Sequence, residues 1–137
     1  MTTAAQEAQR ILLDHDFPST PAAVSDARRA TVRALTSWGL AKAQTGDFVL
    51  VASDLVTNAI EARRHGNVTL RIRAETVDRL TVEVWDAASQ PPCLRSPALD
   101  AEQGRGLLIV AALADHYEWC PVEDGKWVFA VLRTPQA

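Results

Sequence analysis

The sequence predicts an α/β chain of the α+β kind, a two-layer sandwich in which a mainly antiparallel, mixed sheet carries helices on one face. Three observations predict it. Apolar residues recur every three or four positions in two early segments and alternate strictly in several later ones. The alternating segments are polar at every second residue, whereas parallel strands covered on both faces read as continuous apolar runs, so a doubly wound fold is excluded as the leading architecture. The chain has 137 residues, 47% of them apolar, which is the supply for one well-formed core and a single domain.

Taken in order, Ile11 to Phe17 reads as a short edge strand, ended by the breakers at Pro18 and Pro21. A first helix follows, in which Val24, Ala27, Thr31, Leu35 and Trp38 form the apolar stripe and Arg28, Arg29 and Arg33 lie off it. Gly39 ends it. A second helix runs from Asp47 to about His65, where Gly66 and Asn67 supply the stop. Phe48, Val51, Ala52, Leu55, Ala59 and Ala62 make its apolar face. Asp54, Asn58 and Glu61 stack on a polar side at i, i+4 and i+7. Two alternating strands come next, Val68 to Arg73 and Leu80 to Asp86. After a long loop and a helix over LLIVAALAD, two final strands near Tyr117 to Cys120 and Trp127 to Leu132 flank a turn at Asp124 and Gly125.

Charge narrows the function classes. Fourteen basic residues against 17 acidic ones give a net charge of −3, so no general attraction to nucleic acid or anionic membrane exists. Only Lys42 and Lys126 among the basic residues are lysines. Cys93 and Cys120 lack metal-like or redox-motif spacing, which fits a reduced cytoplasmic protein. The longest strongly apolar run, Leu107 to Ala114, is far short of the ~20 residues that span a bilayer, and the amino terminus has no signal pattern.

Chemistry concentrates in three places. Asp86 shares the parity of Leu80, Val82 and Val84, so its carboxylate is expected to turn toward the helical layer, where it needs a hydrogen-bonding partner. A ligand with N–H donors would supply one; a strand-end aspartate that caps the next turn is the plainer alternative. The 17 residues after it, AASQPPCLRSPALDAEQ, contain three prolines and no periodicity, as a lid would. They lead into Gly104-Arg105-Gly106 and the start of a helix, where unpaired backbone N–H groups and the helix dipole favour an anion, although an ordinary glycine-rich helix entry has the same pattern. On the second helix, Asn58 offers a carbonyl oxygen suited to Mg²⁺, and Asp54 one turn earlier offers a general base; a solvated polar face reads the same way. All of these features in one short chain describe a nucleotide site.

The runs SDLVTNAIEA (Ser53 to Ala62), VEVWDAASQPP (Val82 to Pro92) and EQGRGLLIVAALAD (Glu102 to Asp115) resemble, in order and spacing, the three boxes of the GHKL or Bergerat-fold ATP-binding superfamily. The similarity is closest to the RsbW-type branch of bacterial anti-sigma factors with serine-protein kinase activity, and it covers about residues 17 to 133. The resemblance implies ATP and Mg²⁺ as cofactors. It makes Asn58 the magnesium ligand, Asp86 the acceptor for the adenine amino group, and Gly104, Arg105, Gly106 and Leu107 the segment that meets the phosphates. Asp54 falls where the family usually has a glutamate base. Three departures stand out: Asp54 is one methylene shorter than that glutamate, Ala62 replaces a frequent histidine, and Asp86 is followed by AAS with no glycine.

What the resemblance implies for activity is a regulatory serine/threonine kinase that binds a sigma factor and phosphorylates an anti-anti-sigma (STAS-type) partner in the cytoplasm. It leaves room for a homodimer and implies no direct contact with nucleic acid or membrane. The shortened base keeps a second expectation open, a non-catalytic module whose ATP only orders a protein-binding surface. A sensor histidine kinase fragment is disfavoured, because no phosphoacceptor hairpin precedes the domain. A helix-turn-helix is disfavoured by the long, acidic second helix.

Overall fold

The computed structural model describes residues 10–88 and 109–135. In chain order the elements are β1 (Arg10–Pro18), α1 (Ala22–Trp38), a 3₁₀ turn (Lys42–Gln44), α2 (Gly46–Ala62), β2 (Asn67–Thr76), β3 (Arg79–Asp86), a helical segment at 109–113, β4 (His116–Val122) and β5 (Gly125–Arg133). The five strands form one sheet in the order β1-β2-β3-β5-β4, antiparallel at every pairing. The expected two-layer α+β architecture is what the chain adopts.

Alternation decides which side of the sheet is covered. Val68, Leu70, Ile72 and Ala74 of β2, Leu80, Val82 and Val84 of β3, and Val128, Ala130 and Leu132 of β5 all face the core. Helix α2 packs across β2, β3 and β5, and α1 packs on α2 and β1. Packed against both the sheet and α1, α2 buries a wider arc than its expected stripe: Ser53, Val56 and Ile60 join Phe48, Val51, Ala52, Leu55 and Ala59, whereas Ala62 is exposed. On α1 the buried set is Ala23, Ala27, Thr31 and Leu35, with Val24 and Trp38 half-buried.

Helix ends follow local backbone chemistry. Gly39 takes φ +123°, and its N–H donates to the carbonyls of Leu35 and Thr36, which stops α1 where the sequence predicts. Helix α2 ends at Ala62, about a turn short of the expected His65. Arg63 is extended, and its carbonyl accepts a hydrogen bond from Ser19 Oγ in the turn between β1 and α1. That contact joins residues 44 apart, so no local signal announces it.

The outer face of the sheet is polar, as expected, yet two of its side chains are as buried as core residues. Glu83 and Thr81 are only 6% and 1% exposed. Arg71 Nε donates to Glu83 Oε1 at 2.6 Å and Arg73 Nη2 to Glu83 Oε2 at 3.1 Å, while the Arg71 guanidinium lies 4.3 Å from the Trp127 ring centroid. Long cationic side chains thus cover the carboxylate and keep its charge matched.

Candidate functional site

Asp86 ends β3 on the core-facing side, where its parity puts it, and it is 1% exposed. Its Oδ1 accepts two hydrogen bonds. The Ala88 backbone N–H donates at 2.9 Å, forming the turn cap that a strand-end aspartate offers. The other donor is Lys126 Nζ at 2.8 Å, from the directly opposite position of β5. The turn-cap reading of Asp86 is met at Oδ1, while Oδ2 is buried and has no hydrogen-bond partner among the described residues. A buried carboxylate oxygen without a donor costs on the order of 1–3 kcal/mol, so the site suits a ligand that brings an N–H group to it.

Lys126 is the buried partner of Asp86 that sequence reasoning missed. It too is 1% exposed, and besides Asp86 it reaches the Ala88 carbonyl at 3.3 Å. The signal was present: Lys126 shares the parity of Val128, Ala130 and Leu132, so a lysine had to point inward, and an inward charge needs a countercharge. Gly125, next to it, passes tightly against the backbone of Asp86 and Ala87.

Asp54 and Asn58 lie one turn apart on α2, both half-buried. Asp54 Oδ2 is buried without a hydrogen-bond partner among the described residues. Loss of hydration raises the Asp54 pKa from 3.8 to about 6, and the Arg28 guanidinium opposes part of that rise. Arg28 is exposed and off the apolar stripe of α1, as expected, and its Nε also donates to Ser53 Oγ at 2.9 Å, bringing the cation beside the neighbouring Asp54. The result is a carboxylate that is ionised at neutral pH and still basic enough to take a proton.

Glu61, the third member of the polar stripe, separates from this pair. It lines a cavity of about 370 Å³ with Ser19, Val24, Thr57 and Arg64, between α2 and the turn leading into α1. Cys93 and the expected phosphate-binding residues Gly104, Arg105, Gly106 and Leu107, with most of the proposed lid, lie outside the described residues. Among the described residues, no three His, Cys, Asp or Glu side chains gather to hold a metal. Asn58 offers one side-chain carbonyl oxygen on the half-buried face of α2, a ligand type that suits Mg²⁺, an ion usually completed by water and substrate phosphates. No helix among the described residues is long and apolar enough to cross a membrane.

Comparison with known proteins agrees with this geometry. The family model described as histidine kinase-like ATPase domain matches residues 17–132. A chain in the crystal structure of the SiaB-SiaC complex from Pseudomonas aeruginosa superposes with a TM-score of 0.65 at 19% sequence identity, over 90% of each chain, which is a likeness of fold. No curated protein sequence matches the chain.

Proposed function

The chain belongs to the histidine kinase-like ATPase domain family, and from that premise we propose that it is an ATP-binding regulator of the RsbW type: an anti-sigma factor with serine/threonine kinase activity toward an anti-anti-sigma partner. The observation that carries the nucleotide reading is the buried, unpartnered Oδ2 of Asp86. A protein partner is supported by the fold's likeness to a chain of the SiaB-SiaC complex, and by a net charge of −3 that gives no pull toward nucleic acid.

ATP supplies the phosphoryl group and, with Mg²⁺, the charge compensation that its transfer requires. The chain's own residues do the rest. Asp86 Oδ2 accepts a hydrogen bond from the base amino group and fixes its register. Asn58 offers its side-chain carbonyl to the cation. Asp54 holds the proton removed from the incoming serine or threonine hydroxyl, and its pKa near 6 suits that task better than an ordinary carboxylate does. Burial thereby offsets in basicity what the shorter side chain loses in reach.

Calorimetric titration with ATP and ADP, with and without Mg²⁺, tests the binding claim, and labelled ATP with a STAS-type protein tests transfer. Asn58→Ala is expected to remove the benefit of Mg²⁺, about tenfold or more in affinity. Asp54→Ala is expected to abolish transfer and leave binding intact. ATP binding with no transfer by either the wild type or Asp54→Glu would instead establish the non-catalytic module.

A further inference from the structure

We propose that Lys126 is a specificity-determining residue that reads the ring edge of the base beside Asp86. An ammonium carries three N–H donors. Two are spoken for: one goes to Asp86 Oδ1 at 2.8 Å and one to the Ala88 carbonyl at 3.3 Å. No group among the described residues takes the third. Next to it stands Asp86 Oδ2, an acceptor without a donor. The pair thus presents one acceptor and one donor side by side, held on adjacent strands by directly opposed backbone positions.

That pattern is complementary to a 6-aminopurine. Adenine offers an exocyclic N–H donor to Asp86 Oδ2 and the lone pair of N1 to the Lys126 ammonium. A 6-oxopurine presents the reverse, an oxygen acceptor facing the carboxylate and an N1–H donor facing the ammonium, so both contacts become repulsive. Burial strengthens the discrimination, because both side chains are 1% exposed and neither mismatch is relieved by water. A second property follows from the same geometry: Lys126 holds Oδ1, so the carboxylate is fixed with Oδ2 turned to the ligand. The inference rests on Asp86 being the base acceptor, and the experiment separates the two claims.

Wild-type protein is titrated calorimetrically, in Mg²⁺, with ATP, inosine triphosphate and 1-deaza-ATP, in which N1 is replaced by C–H. ATP is expected to bind about ten- to a hundredfold more tightly than 1-deaza-ATP, the range for a hydrogen bond from a charged donor. Lys126→Met is expected to lower ATP affinity to the level of 1-deaza-ATP, and Lys126→Gln, which keeps a donor, to recover part of the difference. Should Lys126→Met fail to fold, the wild-type comparison of the two adenine analogues still decides. Rejection of inosine triphosphate together with equal binding of ATP and 1-deaza-ATP overturns the role of Lys126 and leaves Asp86 in place. Absence of ATP binding by the wild type overturns both.

Discussion

A Cβ placed on Gly125 would stand 2.0 Å from the carbonyl oxygen of Asp86. Gly125 has no positive φ, so its identity is dictated by this close approach and not by backbone conformation. Gly125→Ala is therefore expected to push β5 away from the end of β3, destabilising the fold by about 1–3 kcal/mol and weakening nucleotide binding. Denaturant midpoints and ATP titration check both effects; an alanine tolerated without loss of either would show that the strands part freely.

Breaking the Asp86–Lys126 pair from either side leaves a lone charge at a 1% exposed position. Asp86→Leu and Lys126→Met are each expected to cost about 3–5 kcal/mol, whereas the double variant recovers most of that stability, since an apolar pair replaces an ionic one. Nucleotide binding should stay impaired in the double variant, which lacks the Asp86 carboxylate. Urea unfolding of the four proteins gives the coupling directly.

Asp54 works against stability. Its pKa is 3.8 unfolded and about 6 folded, so between those values the folded state holds a proton that the unfolded state releases, and stability falls as pH rises. Asp54→Asn is expected to match wild type in acid below the unfolded pKa and to exceed it by about 1–2 kcal/mol above the folded one, after allowance for partial exposure. Melting temperatures across that range test the sign.

Kinase turnover should follow the same group from the other side. If Asp54 takes the hydroxyl proton, transfer falls about tenfold for each pH unit below its folded pKa of about 6. In Asp54→Glu that inflection should move, because the longer side chain carries its carboxylate away from the site whose burial raises it. A pH–rate profile for both proteins is the measurement.

On the outer face, Arg71 both pairs with Glu83 at 2.6 Å and lies over Trp127, whereas Arg73 is 42% exposed and pairs more loosely. Arg71→Met is expected to cost about 1–2 kcal/mol and Arg73→Met under about 1. Equal losses in urea unfolding would deny the Trp127 contact any weight.

Much of this was legible because periodicity and parity are local. The alternation of β2 and β3 placed Asp86 inward, and Gly39 stopped α1 as the sequence announced. What escaped depends on strands and helices meeting across long stretches of chain. Lys126 meets Asp86 from 40 residues away, Arg28 reaches Ser53 from 25, and Ser19 ends α2 through Arg63 from 44. Each missed residue is polar and touches a polar partner whose identity only the topology reveals. The sequence could still say that Lys126 points inward, and an inward lysine is itself a demand for a carboxylate.

The strand order β3-β5-β4 has a consequence for how the protein is made. Asp86 emerges early from the ribosome, but its opposite number waits for β5, the last strand of the sheet. Until β5 inserts between β3 and β4, the nascent chain has an open sheet edge at β3 and half of the Asp86–Lys126 ion pair. Insertion of this one strand closes the edge, gives the carboxylate its ammonium and finishes the core together. A chain in which β5 has not inserted therefore lacks the Asp86–Lys126 pair, and a buried-to-be carboxylate stands open at the β3 edge until it does.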